Sequence, residues 1–177
     1  MVNAWHDVSP GDKLPEEFNA IIETPKGSRN KYELDKESGL IKFDRALYST
    51  FVYPTDYGFV PQSYWEDGDP LDVMVIVADP TVPGCLIKVR PVGVLHMIDS
   101  GEADDKIIAV PVKDPRFEHI KDLKDLGEHF QKEVSHFFEH YKDLQGKKVT
   151  ANKWGSKAEA LKTIKKGIQL YKEKFGK

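Results

Sequence analysis

Short strand-type segments fill the chain up to residue 112, and two amphipathic helical segments follow them. Alternating or continuous apolar residues predict strands at 18–24, 71–78, 86–97 and 106–112, and a hairpin whose strands, 32–34 and 40–43, flank the turn 35–39. Several short strands in succession favour a small barrel. We therefore predict one α+β domain over residues 1–177, a closed or nearly closed β-barrel with two helices packed on it.

The two helical segments are predicted from the spacing of their apolar residues. The segment 128–144 places Phe130, Val134, Phe137, Tyr141 and Leu144 at alternating spacings of four and three residues, which predicts one buried face. The second helix has the same kind of stripe at Leu161, Ile164, Ile168, Tyr171 and Phe175. Ser156 and Glu159 have the spacing of a capping box at its start.

Charge is unevenly distributed along the chain. Residues 147–177 carry ten lysines against two glutamates, a net charge of +8. Because the whole chain has a net charge of −3, the first 146 residues have a net charge of −11. Because no aromatic residues are interleaved with the lysines, we interpret them as the solvated face of a packed helix and expect no nucleic-acid binding. The net charge of −11 over residues 1–146 also disagrees with a barrel that binds single-stranded nucleic acid through a basic groove.

Cysteine content and hydropathy indicate the compartment. Cys85 is the single cysteine, which excludes an intramolecular disulfide framework. The segment 1–11 has no apolar stretch of the kind found in signal peptides, and the longest apolar run, 73–78, is far too short to cross a membrane. We expect a cytoplasmic protein with no membrane partner.

Three carboxylates lie within the six residues Asp67, Gly68, Asp69, Pro70, Leu71 and Asp72, directly before a buried strand. Like charges held this close repel one another, and Mg2+, Mn2+ or Ca2+ commonly neutralises them. An EF-hand is excluded, because the sixth and twelfth positions counted from Asp67 are Asp72 and Ala78 instead of glycine and glutamate. A solvated turn is the alternative for this segment alone.

Further charged and phenolic residues suggest what the metal ions would do. More carboxylates occur in the acidic loop before the strand at 106 and in or beside the early strands: Asp99, Glu102, Asp104, Asp105, Glu23 and Glu33. Cations and phenols lie near them in sequence or at the ends of elements: Lys31, Arg45, Tyr53, Tyr57, Lys106, Tyr141 and Lys142. If the barrel brings these groups together, they suit a phosphate-rich substrate held through several divalent ions.

A zinc peptidase is the main alternative enzyme, because residues 136–140 match the pattern H-x-x-E-H. The pattern is short, and few residues remain after His140 to provide a third ligand and a substrate cleft. We interpret His136 and His140 as surface or subunit-contact residues, which would make assembly sensitive to pH. A barrel that binds a nucleic acid or a partner protein is the non-enzymatic alternative.

Several motifs in a fixed order resemble the family I soluble inorganic pyrophosphatases of bacterial and archaeal type. The segment Asp67–Val73 is similar to the signature of that family. Other motifs occur in family order around Lys31-Tyr-Glu33, Arg45, Tyr53-Pro-Thr-Asp-Tyr57-Gly, Arg90-Pro-Val-Gly-Val and His136-Phe-Phe-Glu-His-Tyr141-Lys142. Such a combination is far more specific than three aspartates alone.

The resemblance implies hydrolysis of inorganic diphosphate by an OB-like barrel that assembles as a homohexamer and requires Mg2+, several ions per site, with Mn2+ or another divalent ion as a possible substitute.

It also implies roles for individual residues. Asp67, Asp72 and Asp104 would bind the first metal ions, and Asp99, Glu23 and Glu33 would serve those that arrive with substrate. Asp69 would be the general base. Phosphate oxygens would be bound by Lys31, Arg45, Tyr57, Lys106, Tyr141 and Lys142, with Tyr53 supporting the site. Asp105 is the alternative to Asp104, which lies two residues before Lys106.

Overall fold

A computed structural model describes residues 2–99 and 101–176. Residues 1, 100 and 177 lie outside the described part, so the predicted domain 1–177 and the acidic loop 99–105 are described except at these positions. The described chain forms nine strands and two α-helices: β1 (Phe18–Thr24), β2 (Asn30–Leu34), β3 (Ile41–Ala46), β4 (Asp56–Phe59), β5 (Asp72–Val75), β6 (Leu86–Asp99), β7 (Glu102–Ala103), β8 (Lys106–Pro111), α1 (Gly127–His140), β9 (Val149–Gly155) and α2 (Lys157–Phe175).

Five of the strands close into a ring. They follow the order β1-β4-β5-β8-β6, and β6 pairs again with β1 to close it. The pair β5–β8 is parallel, and the other neighbours in the ring are antiparallel. Strands β2 and β3 form a separate antiparallel hairpin beside the barrel. The α+β fold with a small closed barrel and two helices is therefore confirmed.

Strand β6 closes the ring because it is long and bent. Its first residues pair with β1, its middle with β8 and its last residues with β7 and β9. The register against β8 shifts between Pro91 and Gly93. Proline lacks an N–H to donate, and a bulge bends the strand that contains it, so this pair marks the corner where β6 passes from one neighbour to the next.

Strands β1 and β4 approach so closely that a side chain at Gly58 would not fit. A Cβ atom built there would lie 1.9 Å from the carbonyl oxygen of Ile21 on β1. The missing side chain therefore permits the pairing of Ile22 with Gly58, next to the bulge between Ile22 and Thr24.

Helix α2 covers one side of the barrel. The predicted capping box is present: the Ser156 N–H donates to Glu159 Oε2 (2.7 Å), and the Glu159 N–H donates to Ser156 Oγ (3.4 Å). Ala160 and Ile164 are buried among Phe18, Leu71 and other barrel side chains.

Helix α1 packs against the other side of the barrel through Val134, Phe137 and Phe138. The predicted length of this helix was wrong. It ends at His140, followed by a 3-10 turn at Asp143–Gln145, and Leu144 is exposed (69%) instead of packed.

Three strands were missed, and one was predicted too long. The two-residue strand β7 (Glu102–Ala103) lies in the segment that was predicted as an acidic loop. Strand β4 has four residues, one of them a glycine, so it lacks a long alternating pattern. Strand β9 (Val-Thr-Ala-Asn-Lys-Trp-Gly) contains few large apolar residues and is defined by its pairing with β6. The strand predicted at 71–78 is confined to Asp72–Val75. No helix among the described residues is both long and apolar enough to cross a lipid bilayer.

Candidate active site

A cleft of roughly 640 Å³ opens between the barrel, the β2–β3 hairpin and the end of α1. Of the fourteen residues predicted for the site, thirteen line this cleft: Glu23, Lys31, Glu33, Tyr53, Tyr57, Asp67, Asp69, Asp72, Asp99, Asp104, Lys106, Tyr141 and Lys142. Arg45 lies beside it on β3, paired with Lys31 on β2. The fold thus brings together residues that are up to 119 positions apart in the sequence.

The floor of the cleft is built by three adjacent barrel strands. Asp72 begins β5 and pairs in register with Lys106, which begins the parallel strand β8. Lys106 is buried, and its Nζ donates to Asp72 Oδ2 (2.5 Å) and to the Asp104 carboxylate. Tyr57 on β4 is a diagonal neighbour of Asp72 and donates its hydroxyl to the same oxygen (2.5 Å). This carboxylate is therefore held by a cation and a phenol.

The sequence left open which of the adjacent residues Asp104 and Asp105 belongs to the site, and the structure distinguishes them. Asp104 faces the cleft on the same side as Lys106, as expected for residues two apart in an extended chain. Asp105 points the other way, and its Oδ2 lies 2.9 Å from Nδ1 of His96. Asp104 is thus the one of the pair that lines the cleft.

The loop between β4 and β5, which carries Asp67 and Asp69 and is called the β4–β5 loop below, forms one rim of the cleft. The Asp69 N–H donates to Asp67 Oδ1 (3.0 Å), and the Trp65 N–H donates to the carbonyl oxygen of Asp69 (2.8 Å). The Asp69 side chain is half exposed and forms an ion pair with Lys36 from the hairpin turn. Asp67 and Asp69 therefore share a loop whose backbone is fixed by hydrogen bonds.

The β2–β3 hairpin forms the opposite rim. Lys31 Nζ lies 2.8 Å from Glu33 Oε2 and 3.4 Å from Asp44 Oδ2, and Arg45 also pairs with Asp44. Nε of Arg45 is buried and makes no hydrogen bond to the described residues. Arg45 therefore carries an unsatisfied buried donor beside the cleft.

Glu23 on β1 attaches this hairpin to the barrel. Its Oε1 accepts a hydrogen bond from the Leu34 N–H (2.6 Å), and the residue is 7% exposed. The carboxylate lies under the rim, at the inner edge of the cleft.

The end of α1 and the turn after it complete the wall. Tyr141 is the C-cap of the helix, with its N–H bonded to Phe137 O, and Lys142 follows it and pairs with Asp99. Tyr53 is buried against Tyr57 and Phe137. The C-terminal end of α1 thus places a phenol and a cation at the cleft.

Burial and mutual repulsion shift the pKa values of the carboxylic acids. Burial and the charge of Asp72 raise the pKa of Glu23 to about 8 and that of Asp67 to about 7. Burial also raises the pKa of Asp72 to about 6, although Lys106 opposes the rise. Near neutral pH these buried carboxyl groups therefore retain protons more readily than exposed ones, unless a cation stabilises their charged form.

The pKa shifts of the basic and phenolic groups determine their charge near neutral pH. Burial disfavours the Lys106 ammonium, but Asp72 and Asp104 outweigh it and raise the Lys106 pKa. Burial raises the pKa of Tyr53, Tyr57 and Tyr141, so the phenols stay protonated donors. Burial lowers the pKa of Lys142, although Asp99 opposes the change.

The donor set of the cleft has the chemistry of a site for hard divalent cations. All its metal-binding side chains are carboxylates, with no histidine or cysteine among the lining residues. Within residues 2–99 and 101–176, no three carboxylate, imidazole or thiol groups converge closely enough to form a ready-made metal centre. Lysine ammonium groups, such as that of Lys106, lie among the carboxylates. The donors therefore fit Mg2+ or Mn2+, and the ions would share the cleft with these lysines.

Several lining residues were missed by the sequence reasoning. They include Asp35, Lys36, Glu37, Lys42 and Phe138, and Glu102, noted with the acidic loop, also belongs to the lining. Three of them lie in or next to the hairpin turn, which the sequence suggested only as a connection. A signal was available, because that turn joins the strands that carry Lys31 and Arg45.

The histidines of the zinc alternative lie outside the lining of the cleft. The His136 and His140 rings are 4.5 Å apart, and His140 Nδ1 lies 2.8 Å from Asp143 Oδ2. His136 is exposed and contacts the Phe51 ring. This pair therefore belongs to the outer face of α1.

Comparison with known proteins gives consistent matches. The family model described as inorganic pyrophosphatase matches residues 20–172. The inorganic pyrophosphatase of Haloferax volcanii is 48% identical over 176 residues, which cover 99% of each chain. Soluble inorganic pyrophosphatase 1 of Arabidopsis thaliana is 48% identical over 96% of this chain and 80% of the plant protein. In the crystal structure of the Thermus thermophilus inorganic pyrophosphatase, 99% of that chain superimposes on 97% of this one with a TM-score of 0.93 and 43% identity.

Proposed function

The chain belongs to the inorganic pyrophosphatase family and hydrolyses inorganic diphosphate to two phosphates, and we propose that Asp69 is the general base of this reaction. The convergence of thirteen predicted residues on one cleft is the observation that carries the proposal. Asp69 suits the role because its carboxylate is half exposed at the rim, where water has access. The Asp69 carboxylate forms one exposed ion pair, with Lys36, whereas that of Asp72 is held below the surface by Lys106 and Tyr57.

The family is metal-dependent, and we assign the metal as Mg2+, several ions per site, with Mn2+ or another divalent ion as a substitute. Asp67, Asp72 and Asp104 would hold the first ions, while Asp99, Glu23 and Glu33 would serve those that accompany substrate. The raised pKa values of Glu23, Asp67 and Asp72 support this assignment, because burial disfavours their charged forms and a bound cation would stabilise them. When bound, divalent ions neutralise phosphate charge and lower the pKa of coordinated water.

Substrate binding is assigned to the cations and phenols that face the carboxylates. Arg45 offers a planar guanidinium whose buried Nε has no hydrogen-bond partner among the described residues, and Lys31 lies next to it across the hairpin. Lys106, Tyr57, Tyr141 and Lys142 contribute donors from the barrel and from the end of α1, and Tyr53 supports Tyr57 by ring contact.

The chemical step follows from these positions. Diphosphate resists hydrolysis because its negative charge repels the nucleophile and because neutral water is a weak one. Asp69 accepts the proton of the attacking water at its carboxylate. Lysine and arginine then stabilise the charge that develops on the leaving phosphate. The buried tyrosines remain protonated and donate to phosphate oxygens without adding negative charge.

Assembly and compartment complete the proposal. We assign a single domain over residues 1–177, a homohexamer and a cytoplasmic location, with no nucleic acid or membrane as partner. Self-association is supported by large apolar side chains that the monomer leaves exposed: Leu40, Phe43, Tyr48, Val82, Leu86 and Leu144. Sedimentation between pH 5 and 8 tests the assembly, and a monomer throughout would contradict it.

Phosphate release from diphosphate tests the catalytic proposal. We expect release that requires Mg2+, stops with EDTA and collapses in Asp69→Asn. Asp79→Asn serves as a control, because Asp79 is 91% exposed outside this cleft and should retain turnover. In metal titrations Asp69→Asn should keep much of its metal affinity while turnover is lost, whereas in Asp72→Asn weaker metal binding should be the first effect. The reverse order would refute the division of roles between the two aspartates.

A further inference from the structure

Lys36 joins the two rims of the cleft. Its ammonium forms an ion pair with the Asp69 carboxylate and donates a hydrogen bond to the carbonyl oxygen of Gly68 (3.2 Å). The two paired side chains are 52% and 49% exposed, so the contact lies at the mouth of the cleft. The hairpin turn is thereby connected to the loop that carries the proposed base.

The turn that presents Lys36 is fixed by its own contacts. The Asp35 carboxylate accepts hydrogen bonds from the Ser38 N–H (3.0 Å) and the Ser38 hydroxyl (2.6 Å). Gly39 has φ +73°, and a Cβ atom there would lie 2.9 Å from Cα of Asn3. The turn is therefore packed on the N-terminal segment in a backbone conformation that favours glycine, and Lys36 projects from an anchored position.

On the β4–β5 loop, the backbone of Asp69 is fixed in a comparable way. Its N–H and carbonyl oxygen bond to Asp67 Oδ1 and to the Trp65 N–H, as described above. These bonds leave rotation of the Asp69 side chain free. The ion pair with Lys36 restricts that rotation.

We propose that Lys36 is a positioning residue for diphosphate hydrolysis, which orients the Asp69 carboxylate and keeps the hairpin at a fixed distance from the β4–β5 loop. The inference rests on the proposed role of Asp69 as the base. Proton transfer is effective only in a narrow range of geometries, so an anchored carboxylate transfers the proton faster than a freely rotating one. The same hairpin carries Lys31 and Arg45, so its position also sets the distance between the phosphate-binding cations and the base.

Substitution of Lys36 separates this role from a structural one. In Lys36→Met we expect kcat to fall roughly 10- to 100-fold, while KM for diphosphate changes by less than about threefold because the phosphate-binding cations remain. Because exposed ion pairs contribute little to stability, Tm should shift by less than about 3 °C. Lys36→Arg keeps the charge and should recover most of kcat.

Lys166→Met is the matched control. Lys166 pairs with Glu66, which directly precedes Asp67, and these side chains are 50% and 49% exposed. This pair anchors the same loop to α2 from outside the cleft. Its loss should leave kcat unchanged, whereas an equal loss of kcat in both variants would indicate general anchoring of the loop and overturn the proposal.

A double-mutant cycle tests whether Lys36 acts through Asp69. In an Asp69→Asn background, Lys36→Met should change kcat by less than about twofold, because the carboxylate it orients is gone. Additive losses would overturn the inference. Unchanged kcat in Lys36→Met together with a collapse in Asp69→Asn would overturn it while leaving the base assignment intact. Full turnover in Asp69→Asn would refute both the assignment of Asp69 as the base and the role of Lys36.

Discussion

Lys106→Met removes the buried ammonium from between Asp72 and Asp104 while keeping most of the apolar stem. Lys106 is 2% exposed, and both carboxylates lose their hydrogen-bonded cation. Removing one partner of a buried ion pair costs about 3–5 kcal/mol. With an unfolding entropy of about 2.1 cal/mol/K per residue, a chain of this length loses about 1 °C of Tm for every 0.37 kcal/mol. The expected drop in Tm is therefore roughly 8–13 °C.

The pH dependence of this loss follows from the same carboxylates. Without the ammonium, the folded-state pKa of Asp72, already about 6, rises further above its unfolded value. A raised folded pKa favours folding at low pH and loses that contribution as pH rises through it, so the loss of Tm should be largest near pH 8 and smaller near pH 5. Divalent ions should recover part of it by neutralising the two carboxylates.

Calorimetry in EDTA at pH 8 and at equal protein concentrations measures this effect. Lys153→Met is the control, because Lys153 lies 3.7 Å from Glu159 with 70% of its side chain exposed, and its loss should shift Tm by less than about 3 °C. An equally small shift for Lys106→Met would refute the view that the ammonium compensates charge in the floor of the cleft.

Two further predictions concern packing and metal binding. Gly58→Ala should lower Tm by roughly 8 °C or more in thermal unfolding, because its Cβ would lie 1.9 Å from backbone and overpacking costs about 3 kcal/mol when the neighbour cannot move aside. Gly84→Ala, where the Cβ meets nothing within 4 Å, should cost only the left-handed strain of φ +83°, about 1–2 kcal/mol, and equal losses would contradict the argument. Because the pKa of Glu23 is about 8 and that of Asp67 about 7, divalent ions must displace protons, so affinity should rise from pH 6 to 8 with proton release. Calorimetry of Mg2+ binding in buffers of different ionisation enthalpy measures that release, which Glu23→Gln should reduce; metal binding without it would refute the role of these acids.

The predictions that succeeded depended on interactions between neighbours in the sequence. Strand β1 has the predicted bounds, the turn 35–39 joins β2 and β3, and Ser156 and Glu159 form the capping box. Each of these features is set within a few residues, so the pattern contains the information needed.

Most of the predictions that failed concern elements defined by distant partners. Strands β4 and β9 are short or poor in apolar residues, and they are strands because β1, β5 and β6 provide hydrogen-bonding edges. The stripe on α1 was extended to Leu144, although the helix ends at His140 and a 3-10 turn follows. Apolar spacing alone does not show where a surface to pack against ends.

The sequence by itself determined the family, the positions of most strands along the chain and the residue types of the site, because these depend on residue identity and local spacing. Only the tertiary structure decided that Glu23, Asp72 and Tyr141 share one cleft, that Asp105 pairs with His96 instead, and that Lys36 reaches Asp69. It also decided the pKa values of the buried carboxylic acids. Burial and charge repulsion depend on every group within a few ångströms, and most of those groups are far apart along the chain.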